Sequence, residues 1–135
     1  MSDERRGVEH KVRVQWIDTD AAGHYHHSSV LRWVEAAEAL LYRELDIDGI
    51  FGAVPRVRYE VDYLSPLWFD DVATVRLWID RVGSSSLEFE FEVVANAGVI
   101  AARGRQTVVH VPKAGEGSAR WPAGWSAKLT AASRG

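Results

Sequence analysis

Residues 12–41 read VRVQWIDTDAAGHYHHSSVLRWVEAAEALL, and within them one hydrophobic pattern replaces another. The loose alternation of apolar and polar residues at the start predicts a strand over residues 8–17. In residues 30–45 the apolar side chains recur every three or four positions, which predicts an amphipathic helix of about 17 residues. Ser28 and Ser29 are residue types that cap helix N-termini. The stretch therefore predicts a strand, a polar loop and a long helix in close succession.

Patterns of period two dominate the chain from residue 55 to residue 111. Four segments predict strands, over residues 56–64, 74–80, 87–93 and 99–111. Their short connections predict an antiparallel meander. The fold class is therefore α+β, with one long helix on one face of a curved five-stranded sheet. The other face is expected to carry charged side chains, among them Arg56 and Arg58, and to be exposed or used for association.

Composition restricts the class of protein. The 135 residues fit one domain, and 47% hydrophobic residues are enough for a core. A net charge of −3 argues against a nucleic-acid partner. The absence of cysteine excludes disulfides, thiolate zinc sites and a cysteine nucleophile. The charged N-terminus and the lack of a long apolar run predict a cytoplasmic protein without a signal peptide or membrane span.

The two ends of the sequence differ in composition. About seven polar residues precede the first strand, whereas Gly, Ala and Pro predominate after residue 112. Trp121 and Trp125 are expected to anchor this second tail, and residues 126–131 to form a short helix.

The loop before the helix concentrates titratable side chains. Asp18 and Asp20 either face the same way and raise one pKa by like-charge repulsion, or act as turn formers that bind backbone N–H groups. The histidines at 24, 26 and 27 suggest a zinc site. Adjacent residues such as His26 and His27 seldom point at one centre, so no metal is expected.

The start of the helix offers a second kind of chemistry. Its first backbone N–H groups lack partners and carry a partial positive charge. If an acyl carbonyl oxygen sits there, the amides near His27 and Ser28 can stabilise its developing negative charge. Asp20 can then supply a carboxylate from the opposite side.

Three stretches of the sequence resemble a known family, namely residues 12–41, YEVDYLSPLWFDD at residues 59–71 and GSSSLEFEFEV at residues 83–93. The first fits the approximate signature D-[TC]-D-x-x-G, followed by an aromatic and histidine-bearing loop and a helix. Over residues 8–112 the chain resembles the 4-hydroxybenzoyl-CoA thioesterases and YbgC-like acyl-CoA thioesterases of the hotdog fold. The resemblance implies one hotdog thioesterase domain over residues 1–135, with its core at 8–112 and a C-terminal tail at 113–135.

The resemblance also implies roles for single residues. Asp20 matches the family's catalytic carboxylate, acting as nucleophile or general base, and Gly23 matches its loop glycine. His27 matches the histidine of the YbgC-like branch, and its backbone N–H, next to Ser28, falls where the family polarises the thioester carbonyl. Asp18 matches the first acidic residue, which has a structural role.

The sequence departs from the family pattern at two positions. Many relatives have tyrosine where this chain has Val30, and a small aliphatic residue where it has His24. These departures affect the expected substrate more than the expected reaction.

By the same resemblance, the substrate is an acyl-CoA or acyl-carrier-protein thioester, and CoA enters as part of the substrate rather than as a cofactor. Ser85 and Ser86 are candidates for CoA contact. Arg103 and Arg105 are either cross-strand partners of the glutamates at 88, 90 and 92 or ligands of the CoA phosphates. The family joins two subunits edge to edge with the active site at the interface, so a homodimer is expected, and dimers pairing into a homotetramer.

Two other functions stay open. A hotdog hydratase or dehydratase also uses Asp and His, and Asp20 and His24 are superficially similar, but the proline-bearing hydratase loop is missing. A non-catalytic acyl-CoA-binding module is the other alternative, against which the intact D-T-D-x-x-G run argues. The sequence does not identify the acyl group.

Overall fold

A computed structural model describes residues 7–133, so nearly all of the predicted N-terminal tail lies outside the described residues. Between residues 7 and 133 the chain forms seven main elements, in the order β1 Val8–Arg13, α1 His27–Glu44, β2 Arg56–Tyr63, β3 Val72–Val82, β4 Ser86–Ala95, β5 Ile100–Val109 and α2 Ala123–Ser133. Single turns of 3-10 helix lie at Trp16–Asp18 and Asp48–Ile50. Within this part of the chain, neither helix is long and apolar enough to cross a membrane.

The five strands form one antiparallel sheet in the order β1-β3-β4-β5-β2. This confirms the predicted α+β class, because α1 packs on the sheet through β1 and β3. The prediction of a four-stranded meander was wrong for β2, which pairs with β5 instead of with β3. Residues 64–71, between β2 and β3, are long enough to cross the end of the sheet, and β2 becomes an edge strand.

The first strand is shorter than predicted. It ends at Arg13, and the following residues turn because the Asp18 carboxylate accepts the Gln15 N–H at 2.7 Å. Trp16 and Ile17, predicted to continue the strand, are 82% and 76% exposed. Alternation persisted in the sequence here although the backbone had already left the sheet.

The core lies between the sheet and the two helices. Helix α1 has 18 residues, and its buried face contributes Val30, Trp33, Val34, Ala37 and Leu41. Helix α2 is longer than the predicted segment of residues 126–131, packs against β3 and buries Leu129 completely.

Both predicted tryptophan anchors hold the C-terminal segment. Trp121 is buried, stacks on the His110 ring at 5.2 Å, and donates its indole N–H to the Ser86 carbonyl oxygen at 3.1 Å. Trp125 packs edge-on against the same His110 ring at 5.3 Å.

A bulge at the start of β2 changes which face one side chain occupies. Arg56 was predicted on the exposed face with Arg58, but it points toward α1 and donates from Nε to Gln106 Oε1 at 2.7 Å. Glu38 of α1 accepts from Gln106 at 2.9 Å, so helix and sheet share a buried polar network. The irregular pairing between Arg56 and Arg58 shifts the alternation by one residue.

Candidate active site

The loop before α1 folds back on itself. Thr19 forms an isolated bridge with Tyr25, and the Asp20 N–H donates to the His24 carbonyl oxygen at 3.0 Å. Gly23 closes the turn, since its N–H donates to the Asp20 carbonyl oxygen at 3.0 Å and its φ of 91° lies in the left-handed region. That conformation favours glycine, as the predicted role of a turn residue requires.

Asp18 lies under the loop and is 3% exposed. Its two carboxylate oxygens accept hydrogen bonds from the Gln15 N–H at 2.7 Å and from Arg32 Nη2 at 2.6 Å. Its carbonyl oxygen accepts the Ser29 hydroxyl at 3.0 Å. Asp18 therefore ties the loop to both flanking elements, which agrees with a structural role.

Asp20 is exposed, and one of its carboxylate oxygens accepts the Ala22 N–H at 2.8 Å. Both aspartates are thus turn formers that bind backbone N–H groups, as one of the two alternatives predicted. The 3-10 turn ends between them, so Asp18 is buried while Asp20 faces solvent. Within residues 7–133 the second Asp20 carboxylate oxygen has no hydrogen-bond donor, which leaves it available for chemistry.

His26, rather than Ser28 or Ser29, caps helix α1. Its Nδ1 accepts the Ser28 N–H at 3.2 Å and lies 2.8 Å from the Ser28 hydroxyl. Ser29 cannot act as the cap because its hydroxyl is turned inward to Asp18. In the described part of the chain the His27 N–H has no acceptor, so the first helical amide is free.

A cleft of about 430 Å³ opens beside this helix start. Its walls are formed by Asp20, His24, Tyr25, His27, Tyr63, Leu64, Ser65 and Pro66. Of the residues predicted from the sequence, the structure thus brings together Asp20 and His27, with Gly23 in the intervening turn and Ser28 next to His27. Among residues 7–133, no three His, Asp or Glu side chains are placed to hold a metal ion.

Sequence reasoning missed the far wall of the cleft. Tyr63 donates its hydroxyl to the His27 carbonyl oxygen at 2.9 Å, and Tyr25 donates to the Ala101 carbonyl oxygen at 3.3 Å. Burial raises the pKa of both phenols, and the Tyr63 phenol raises that of Tyr25 further, so both stay protonated donors at neutral pH. The alternation of residues 56–64 indicates which side chains share a face of the strand, but not that the face of Tyr63 leads to the loop.

The four residues predicted to contact CoA lie away from this cleft in the same chain. Ser85 lies between β3 and β4, and Ser86, the first residue of β4, pairs with Val109 at one end of β5. The cleft lies at the other end, where Tyr63 pairs with Ala102. The Ser85 carbonyl oxygen accepts the His110 N–H at 2.8 Å, and the Ser86 carbonyl oxygen accepts the Trp121 indole N–H.

Arg103 and Arg105 are exposed on the sheet face that points away from α1. Arg105 Nη2 lies 3.6 Å from Glu90 Oε2 and 3.0 Å from Asp80 Oδ2, which fits the cross-strand alternative. Arg103 stands opposite Glu92 in the register. Neither arginine reaches the cleft of its own chain.

Comparison with known proteins gives consistent matches. The family model of the thioesterase-like superfamily matches residues 14–129. A putative acyl-CoA thioesterase, YneP of Bacillus subtilis strain 168, is 22% identical over 110 residues, which cover 76% of this chain and 78% of that protein.

Solved structures match over nearly the whole chain. A thioesterase from Thermus thermophilus, complexed with coenzyme A and Zn, is 30% identical with a TM-score of 0.85, and the match covers 97% of this chain and 98% of that one. A 1,4-dihydroxy-2-naphthoyl-CoA thioesterase from Synechocystis is 19% identical with a TM-score of 0.81, covering 90% and 94% of the two chains. These similarities confirm the predicted hotdog fold.

Proposed function

Since the chain belongs to the thioesterase-like superfamily and is a thioester hydrolase, we propose that it cleaves an acyl-CoA thioester into a free acid and CoA. The observation that carries this proposal is one cleft that contains both the exposed Asp20 carboxylate and the first turn of α1. A carboxylate and an electropositive helix end on either side of a bound carbonyl are what acyl transfer requires.

The helix start stabilises the transition state in this mechanism. The thioester carbonyl oxygen lies against the N-terminus of α1 and accepts the free His27 N–H. As the carbonyl carbon becomes tetrahedral, negative charge on this oxygen is stabilised by the amide and by the helix dipole. The imidazole of His27 is exposed at the cleft and orients the substrate or a water molecule.

Asp20 supplies the electron pair by one of two routes. In the first, its free carboxylate oxygen attacks the carbonyl carbon, the C–S bond breaks, and CoA leaves as a thiolate that takes a proton from solvent. Water then hydrolyses the mixed anhydride. In the second route, Asp20 removes a proton from a water molecule as that water attacks, and the same C–S bond breaks.

We further propose that the active unit is a homodimer, formed edge to edge at β2, and that dimers pair into a homotetramer. Support comes from the position of β2, an edge strand whose last residue, Tyr63, lines the cleft. A second copy added there would border the site. CoA contacts by Ser85, Ser86, Arg103 or Arg105 would then have to come from that second copy. Sedimentation velocity at micromolar concentration tests the assembly.

Replacement of Asp20 by Asn tests the reaction. We expect turnover to fall at least about 100-fold, because the amide is neither a nucleophile nor a base. Melting temperature and CoA binding should be unchanged, since the amide oxygen can still accept the Ala22 N–H. Asp48→Asn, at an exposed carboxylate outside the cleft, is the matched control and should keep full activity. Hydrolysis retained in Asp20→Asn would exclude this assignment.

A panel of thioesters separates the remaining functions. Thiol release from saturated and aromatic acyl-CoAs, from enoyl-CoA and from acyl-carrier-protein thioesters identifies the substrate. Hydration of enoyl-CoA without thiol release would identify a hydratase instead. CoA binding without any turnover would identify a binding module.

A further inference from the structure

A hydrogen bond connects the edge strand with the start of helix α1. Tyr63, the last residue of β2, donates its hydroxyl to the carbonyl oxygen of His27 at 2.9 Å, across 36 residues of sequence. The carbonyl of His27 lies in the first turn of α1, at the helix end that the proposed mechanism uses. The phenol therefore joins the end of β2 to the start of α1 at the cleft.

The peptide group between His27 and Ser28 is held at both of its ends. Its N–H donates to His26 Nδ1 at 3.2 Å, and its carbonyl oxygen accepts the Tyr63 hydroxyl. A peptide group is planar, so fixing both ends fixes its orientation. The neighbouring His27 N–H, which has no acceptor among the described residues, is then held in one direction.

The Tyr63 ring is itself held in place. It lies 6.1 Å from the Tyr25 ring and meets the His27 ring edge-on at 6.4 Å. Tyr25 is buried and packs on Trp33 of α1 at 5.8 Å, which supports the wall from behind. Burial raises the pKa of Tyr63, so its hydroxyl stays a donor throughout the neutral range.

We propose that Tyr63 is a positioning residue for thioester hydrolysis, whose hydroxyl aims the free His27 amide at the substrate carbonyl. This inference rests on the proposed function. Small displacements of an oxyanion donor are costly, because catalysis depends on geometry held in advance of the reaction. Because Tyr63 lies on an edge strand, a second chain that pairs with that edge would also influence the position of the first turn of α1.

Tyr63→Phe removes the hydroxyl and keeps the ring. We expect kcat on the best acyl-CoA substrate to fall about 10-fold while KM stays within about twofold, because the amide acts mainly on the transition state. The matched control is Thr107→Val on the adjacent strand β5, which also removes one hydroxyl. Thr107 pairs with Arg58 in the register and lies outside the cleft, so this variant should keep the wild-type kcat.

Backbone hydrogen exchange provides a readout that does not depend on turnover. Loss of the Tyr63 hydrogen bond should speed exchange of the Ser28 amide about fivefold, whereas Thr107→Val should not affect it. The proposal is overturned if Tyr63→Phe leaves both kcat and this exchange unchanged, if only KM rises, or if Thr107→Val has the same effects. Absence of turnover in the wild-type protein would instead overturn the proposed function, and the exchange rates would still decide whether Tyr63 holds the helix start.

Discussion

Two aspartates, separated by a single threonine, have opposite environments in this protein. Asp18 is buried and both of its carboxylate oxygens accept hydrogen bonds, whereas Asp20 is exposed and uses only one. A carboxylate with all its acceptors occupied fixes structure, and one with a free oxygen at a cleft can react. The two aspartates have different environments because the 3-10 turn ends at Asp18, before Asp20.

Asp18→Ala should therefore lower the free energy of unfolding by about 2 kcal/mol, because it leaves the Gln15 N–H without its acceptor and removes the ion-pair partner of Arg32. Arg32 is half exposed and can be rehydrated, which keeps the loss below that of a fully buried pair. Urea denaturation at 25 °C measures the change. Asp20→Ala should stay within about 0.5 kcal/mol of wild type, and equal losses in the two variants would contradict this assignment.

At this scale the sequence predicted what lies close along the chain. Turn-forming aspartates were one of two alternatives, the free helix amide near His27 follows from local chemistry, and Gly23 was expected as a loop glycine from the family resemblance. The identity of the cap did not, because serine propensity favoured Ser28 or Ser29 and an imidazole took the position. Tyr63 could not be found either, since its bond to His27 depends on how a distant strand crosses the sheet.

Among the elements, the contact between β5 and β2 depends on Gly104. A Cβ at this position would overlap the Glu60 carbonyl oxygen of β2 and lie 2.7 Å from Phe91 Cζ. Phe91 fills the space above the glycine and stacks on Tyr59 with ring centroids 5.9 Å apart and planes within 8°. Glycine here permits an aromatic pair to bridge β4 and β2 across the strand between them.

Gly104→Ala should destabilise the fold by at least about 2 kcal/mol, since the contacts with the β2 backbone and with the Phe91 ring must both be relieved. A thermal melt followed by circular dichroism measures it. Gly117→Ala is the control, because a Cβ there meets nothing within 4 Å. Equal melting temperatures for the two variants would show that the sheet absorbs the methyl group without strain.

Element types were predictable, and their partners were less so. Period-two patterns marked β3, β4 and β5 because one side chain in two is buried on the helix side. The end of β1 and the bulge in β2 were missed. Alternation in the sequence does not show where the backbone leaves the sheet or where a bulge shifts the register. The neighbour of β2 depends on the crossing loop and therefore had no local signal.

Considered as a whole, the molecule places all four of its tyrosines where burial raises the phenol pKa. Burial is the first cause for Tyr25, Tyr42, Tyr59 and Tyr63, and a neighbouring Glu38 carboxylate adds to it for Tyr42. In the unfolded chain each phenol ionises near pH 10, as ordinary tyrosine does. Above that pH the unfolded state loses protons that the folded state keeps, so the stabilisation present at lower pH is lost as pH rises.

The free energy of unfolding should thus be nearly constant between pH 8 and pH 9.5 and fall above pH 10. Each tyrosine can add at most about 1.4 kcal/mol per pH unit to the slope. Urea titrations at half-unit intervals up to pH 11.5 measure it. Tyr59→Phe should give a shallower decline, and a curve identical to wild type would contradict the assigned environment of Tyr59.

The order of strands in the sheet also sets the order in which the site can be completed. Asp20, His27 and Tyr63 all precede β3 in the chain, yet β2 has no strand partner until β5 is present, and Tyr63 pairs with Ala102. Contacts between residues so far apart in sequence close slowly. During synthesis or refolding, we expect the loop and helix α1 to form first. The side of the cleft that contains Tyr63 should form last, when β2 pairs with β5. Catalytic competence should accordingly lag behind the recovery of helical structure in a refolding experiment.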